Sequence, residues 1–189
     1  MRQDAARNRR AILLATEQLL SRHRPDEVTI EQVAAAAGVG KGTVFHRFGN
    51  RMGLMLALMQ ERAHGLGESV RTGEPPLGPG APPRERLLAF LAAVVEVVGG
   101  NKGLIAALGA EVASMPKPHG GPAREHPVYQ TWHGHVSALL TEANPDLDAE
   151  LVADLLLSTL HSEPVLRLLE RGETDRLTAA LQALAVGVL

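Results

Sequence analysis

Apolar positions along this chain recur at three- and four-residue spacings, and no stretch alternates with the period of two that marks a strand. The pattern predicts an all-α protein. Residues 1–10, with Arg2, Arg7, Arg9 and Arg10, read as a polar arm. From Arg9 to His23, Ile12, Thr16, Leu19 and Leu20 form one stripe, and Pro25-Asp26 ends that helix. Between Thr29 and Arg51 the sequence TIEQVAAAAGVGKGTVFHRFGNR predicts two short helices around a glycine turn. Thr29 and Gln32 have capping-box spacing, which starts the first of them, with Val33 and Ala37 on its inner side. Gly38 suits a left-handed helix end, and Val39 fixes the turn by tucking inward. The second runs from about Gly40 to Phe48, with Val44 and Phe48 inward. Gly42, Thr43, His46 and Arg47 face out, with Lys41 at the start. Two short helices so joined, with a small, polar and cationic outer face, are the helix-turn-helix arrangement that enters a major groove.

Asn50 is a suitable cap for a longer helix to about Val70. Its inner stripe is Leu54, Met55, Leu58 and Met59, widened by Met52 and Leu56. Thr72 to Pro83 (TGEPPLGPGAPP) holds five prolines and three glycines in twelve residues, which forbids a helix or strand interior. The predicted organisation is a three-helix DNA-binding domain with its connecting helix over 1–71, a linker over 72–83, and a second helical domain over 84–189. Within the last, helices are predicted over Arg84–Val98 (stopped by Gly99-Gly100), Lys102–Met115, Pro127–Ala143, Leu147–Arg171 and Thr174–Val188. Pro164 must kink or split the fourth of these, because it cannot donate to the carbonyl one turn back.

The formal charge of −2 hides an asymmetry. Residues 1–62 carry ten Lys and Arg against six Asp and Glu, a net of +4, whereas the remainder is at −6. A basic first third on an acidic remainder suits contact of that third alone with a polyanion. With no cysteine, disulfides, thiolate metal sites and cysteine nucleophiles are excluded. No apolar run is read as reaching the ~20 residues that cross a bilayer, and the first residues lack a secretory pattern. A cytoplasmic protein without membrane contact is expected. Arg outnumbers Lys sixteen to three, which points to a GC-rich bacterial genome.

The histidines His119, His126, His133, His135 and His161 raise the question of a metal. His133 and His135 are two apart and point to different sides of a helix, and no pair has the i, i+4 spacing of a zinc site. No metal and no cofactor is predicted, and no nucleophile-base-acid spacing suggests an enzyme. The last two helices are apolar on more than one face, through Leu151, Leu155, Leu156, Leu160, Leu166 and Leu169, then Leu177, Leu181, Leu184 and Val188. One stripe docks them on their own body; the surplus predicts a partner.

The run Thr43-Val44-Phe45-His46-Arg47-Phe48-Gly49-Asn50-Arg51, after the capping box and glycine turn, resembles the TetR family of transcriptional regulators. That family shows a T-h-Y-x-x-F-x-x-K pattern here (h apolar). Phe45 stands for its tyrosine, removing a hydroxyl, and Arg51 for its lysine, keeping the charge and adding a fork. The resemblance covers about the first third of the chain. It implies a homodimer on a palindromic operator in double-stranded DNA, acting as a repressor and released by a small-molecule effector of unknown identity. It assigns effector binding and dimerisation to the helical domain over 84–189. Phosphate contacts would fall to Thr29, Thr43, Arg47 and Arg51, and base-edge contacts to Lys41, Gly42, Phe45 and His46. The helix beginning near Arg51 would be the lever between head and body. Candidate effector-cavity residues are Phe90, Met115, Tyr129, Trp132, His133 and His161. Candidate dimer-interface residues are Leu151, Leu155, Leu166, Leu177, Leu181 and Leu184. Two other readings stay open: a helical small-molecule-binding protein without DNA binding, and a helical enzyme dependent on His133 or His161.

Overall fold

The computed structural model describes the backbone of residues 2–113 and 127–189, with side chains at 4–105 and 127–189. Every regular element in those residues is helical. Their contacts divide them into two units. One, the head, holds the residues up to Arg62 together with a separate stretch that begins at Gly103; the other, the body, holds the rest. The division falls at Arg62/Ala63, inside a helix. The Pro/Gly segment, expected to separate two domains, lies within the body.

In the head, α1 (Arg2–Leu20) already includes the Arg-rich start, which is therefore helix and not an arm. Residues 1–20 contain neither Gly nor Pro, and Arg7 pairs with Asp4 one turn away at 3.0 Å. A 3₁₀ turn, Pro25–Glu27, leads to α2 (Ile30–Ala36), α3 (Lys41–Phe48) and α4 (Arg51–Thr72). The capping box forms as predicted: Gln32 N–H donates to Thr29 Oγ1 (3.2 Å) and Thr29 N–H to Gln32 Oε1 (2.8 Å). After α2, Gly38 takes φ +66°. Val39 N–H then reaches the Ala34 carbonyl (3.0 Å) and Gly38 N–H that of Ala35 (3.2 Å), which fixes the turn into α3.

Ile12, Leu13, Ile30, Val33, Val44, Phe48, Leu54, Met55 and Leu58 close the head core. Leu56, expected to widen the inner stripe, is 37 % exposed. Asn50 caps α4 by accepting the Gly53 N–H at 2.8 Å. A Cβ at Gly53 would sit on the Phe48 carbonyl oxygen, so glycine is what lets α4 start so close to the end of α3.

Beyond α4 the chain forms α5 (Pro83–Ala113), whose residues from Gly103 belong to the head, and, in the body, α6 (Pro127–Ala143), α7 (Ala149–Ser158), α8 (Glu163–Glu170) and α9 (Thr174–Val188). Helix α5 runs through Gly99-Gly100, where the sequence predicts a stop. Each glycine costs about 1 kcal/mol against alanine in a helix, a cost the apolar packing on both sides outweighs. A Cβ at Gly99 would lie 3.3 Å from Leu169 Cδ2, so its absence admits α8 closely. Over Pro83–Ile105, α5 is long and apolar enough to span a bilayer by length and composition, with mean hydropathy 1.6, contrary to the sequence reading. In this fold its Leu87, Leu91, Val94 and Val95 are wholly buried in the body core, and 28 % of the apolar stretch as a whole is buried.

Pro164 splits its apolar run. A 3₁₀ turn, Thr159–His161, and an extended Ser162 separate α7 from α8, and Pro164 sits in the first turn of α8, where its missing N–H is not needed. The core is shared by Phe90, Val136, Leu139, Leu140, Leu156, Leu157 and Leu160 with Leu177, Leu181 and Ala185 of α9. That corrects two of the proposed interface residues. Leu177 (6 % exposed) and Leu181 (2 %) form, with Ala185, the stripe that docks α9 on its own body. Leu151 (52 %), Leu155 (58 %) and Leu184 (60 %) remain outside, and Leu166 is half-buried.

Candidate DNA-reading surface and ligand region

Val44 and Phe48 anchor α3, so its opposite face is presented to solvent as Lys41, Gly42, Phe45 and His46, with Thr43 and Arg47 half-exposed at the edges. Phe45 is 41 % exposed, which is unusual for a phenyl ring and suits contact with a thymine methyl. Lys41 is not idle in the free protein. It pairs with Glu31 of α2, and its ammonium lies 5.5 Å from the Phe45 ring centroid. Glu31 was not legible as a site residue. Its side-chain bond to Lys41, and next its own backbone, hold its carboxyl below the ordinary carboxylate range. Any phosphate approaching this face would compete for Lys41 with a carboxylate that itself repels it. Glu31→Gln should raise affinity for non-specific duplex about threefold to tenfold and steepen its fall with salt, since one more cation is free to displace counterions. Filter binding of random-sequence duplex at several salt concentrations measures both.

Thr29 is exposed at the start of α2, its hydroxyl engaged in the cap. Arg47 has its stem on the head, with Nε buried and without a hydrogen-bond partner. Arg51 is placed differently from expectation. Its Nε donates to the Val28 carbonyl (3.1 Å) and its Nη2 to that of Pro25 (2.5 Å), so the guanidinium braces the turn before α2. Two further cations hold helices together. Arg62 of α4 donates to Glu17 of α1 at 3.1–3.3 Å, and the Arg9 guanidinium lies 5.4 Å from the Phe48 ring centroid.

In the body, the candidate ligand residues separate into two groups. Tyr129 and His133 of α6, with Gln130 and Asp154, line a cleft of about 270 Å³. The Tyr129 hydroxyl donates to Asp154 Oδ1 (2.9 Å), His133 Nε2 lies 3.1 Å from the Glu150 carbonyl, and the two rings stack at 6.0 Å. His161 is exposed, with its ring 6.4 Å from that of Tyr129. Phe90 and Trp132 instead meet each other edge-on at 6.5 Å, with His135 4.7 Å from Phe90. Met115 lies outside the described residues, as do His119 and His126. Among the described residues no three of His, Asp and Glu gather as a metal site.

The fold perturbs His135. Burial first, and the charge of Arg86 second, hold its pKa below the ordinary 6.5. The folded state thus takes up this proton later than the unfolded chain does. The resulting stability is complete above about pH 6.5 and is lost as pH falls through the depressed folded value. His135→Gln should flatten the loss of thermal stability below pH 6.5, which a series of melting curves in that range measures.

Three comparisons bear on this geometry. Residues 12–58 match the family model of bacterial regulatory proteins, tetR family. No curated protein matches the sequence. Among solved structures, a TetR transcriptional regulator of Streptomyces coelicolor is 25 % identical with TM-score 0.58, over 93 % of this chain and 96 % of that one. FadR of Bacillus subtilis, solved in complex with stearoyl-CoA, is 17 % identical with TM-score 0.55, over 95 % and 98 %. FadR of Bacillus halodurans, a fatty acid degradation regulator, is 19 % identical with TM-score 0.57, over 95 % and 98 %. The matched residues run from α1 through α3 into α4, and the likenesses extend over nearly the whole of each chain. The protein carries the DNA-binding module of the tetR family in its head and, throughout, the fold of TetR-family transcriptional regulators rather than of an enzyme.

Proposed function

We propose that this chain is a ligand-responsive DNA-binding regulator that acts as a homodimeric repressor on a palindromic operator and is released by a small-molecule effector. The observation that carries the reading is α3: buried on one side by Val44 and Phe48, it offers Lys41, Gly42, Phe45 and His46 together on the other. One helix of eight residues reads few base pairs, and a two-fold pair about 34–36 Å apart reads a palindrome. Leu151, Leu155 and Leu184, exposed on α7 and α9, supply an apolar surface for such pairing. The stearoyl-CoA bound by the Bacillus subtilis relative supports a body that takes ligands. A protein working on the chromosome of a bacterium belongs in its cytoplasm. Release requires that the effector bind the two arrangements of the dimer unequally. Helix α4, which has residues in both units, is the element assigned to carry the change.

Selection of bound sequences from random duplex DNA, followed by salt titration of the winner, tests this. The expected product is a palindrome whose affinity falls steeply with salt. Weak binding without sequence preference would replace the reading with that of a helical ligand-binding protein.

A further inference from the structure

Beside the body core, four side chains form an arrangement whose two polar members, Arg86 and His135, neither DNA binding nor core packing accounts for. Arg86 and Phe90 are one turn apart on α5, and Trp132 and His135 are three apart on α6, so each pair shares a helix face. Phe90 joins the two helices, edge-on to His135 (4.7 Å, 72°) and to Trp132 (6.5 Å, 83°). Beside this aromatic cluster, Arg86 Nε and His135 Nε2 are both buried without a hydrogen-bond partner in the protein. Folded proteins leave few such atoms, and each calls for an explanation such as a functional role or a bound water or ion.

The cleft at Tyr129 differs in this respect. Its hydroxyl and imidazole already have acceptors in Asp154 and the Glu150 carbonyl. Arg86 Nε–H needs an acceptor, and His135 Nε2 needs one as well in the tautomer that carries its proton there. Burial and the neighbouring guanidinium favour neutral His135, which in its Nε2–H tautomer offers a donor without a second charge. A guanidinium fork and an imidazole N–H suit the two oxygens of one carboxylate, and the adjoining rings suit an apolar body.

We propose that Arg86 and His135 are the carboxylate-holding end of the effector site, with Phe90 and Trp132 as its apolar wall, so that the effector is an organic acid with an apolar body. This rests on the effector reading above and narrows it to one ligand class.

Trp132 is the only tryptophan, so its fluorescence reports occupancy directly. The full-length protein is titrated with phenylacetate, octanoate, phenylacetamide and phenethylamine. A saturable change with a carboxylate, at least tenfold weaker with the amide and absent with the amine, is expected. Arg86→Gln should weaken carboxylate binding at least tenfold while raising the melting temperature of the ligand-free protein, because it removes a half-buried charge that nothing pairs. Equal binding of acid and amide, or no saturable response to either acid, overturns the proposal. So does a lowered melting temperature in Arg86→Gln, which would make the residue structural. Operator affinity measured in parallel separates the two readings. Carboxylate binding that leaves operator affinity unchanged keeps the site and removes its role as an effector site. An operator response to the amide equal to that to the acid removes the carboxylate site and keeps the effector role.

Discussion

Replacing Arg51 with Met should cost the head about 3 kcal/mol, on the scale of one or two hydrogen bonds from a charged donor, and should lower operator affinity along with it. The Arg51 side chain reaches back 23 and 26 residues to the Val28 and Pro25 carbonyls. Methionine keeps much of the stem but leaves both acceptors to find other donors beside Val28, which is almost wholly buried. The turn so loosened sets the start of α2, and α2 sets α3, so affinity falls through misplacement of the reading face. Arg51→Lys should recover only part of the loss, because an ammonium is a point donor and not a fork. Thermal unfolding and operator titration of the same samples decide the matter. If Arg51 serves only as a phosphate contact, Met will leave the melting curve unchanged and reduce the slope of log affinity against log salt by about one.

That residue also shows how far the chain was legible. The Thr29–Gln32 box, the Gly38 turn and the Val44/Phe48 anchor are written within a few positions of themselves, and each stands where its spacing places it. Arg51 occupies the right position in a family pattern, but its partners are far away in sequence, and no local spacing reveals which way it turns. Glu31 escaped notice for the same reason, because its partner Lys41 lies ten residues on, across the turn. In α9, periodicity shows two apolar stripes without saying which one meets the body; the core took Leu177, Leu181 and Ala185 and left Leu184 outside. Gly99-Gly100 reads as a stop by composition, yet the helix continues through both, with Leu169 3.3 Å from where a Cβ at Gly99 would lie. In the ligand region, Tyr129, Trp132 and His133 were legible as amphipathic groups on an apolar helix. Their sorting into a self-satisfied cleft and an unsatisfied Arg86–His135 pair depends on contacts with α5 and α7, about which one helix carries no information.

The second large effect concerns the surface that α7 and α9 leave uncovered. The double variant Leu155→Glu with Leu184→Glu should be monomeric at micromolar concentration and should lose about 10²–10⁴-fold in operator affinity, the usual gain from linking two binding modules. Burying a leucine contributes about 1.5–3 kcal/mol. Two-fold symmetry counts each position twice, and a glutamate in the same place brings an unpaired charge into a desolvated contact. Both side chains are more than half exposed in the protomer, so the fold itself should tolerate the change, and an unaltered helical circular dichroism spectrum verifies that. Leu181→Ala is the control. Leu181 is 2 % exposed, so this variant should lower the stability of the body by about 2–5 kcal/mol, and its mass where folded should stay that of the dimer. Light scattering gives the masses and operator titration the affinities. A double variant that keeps both its mass and its affinity would show that the exposed leucines are not the pairing surface. If its mass halves while affinity for the full palindrome persists, each head binds strongly enough alone, and the palindrome is not what the protein reads.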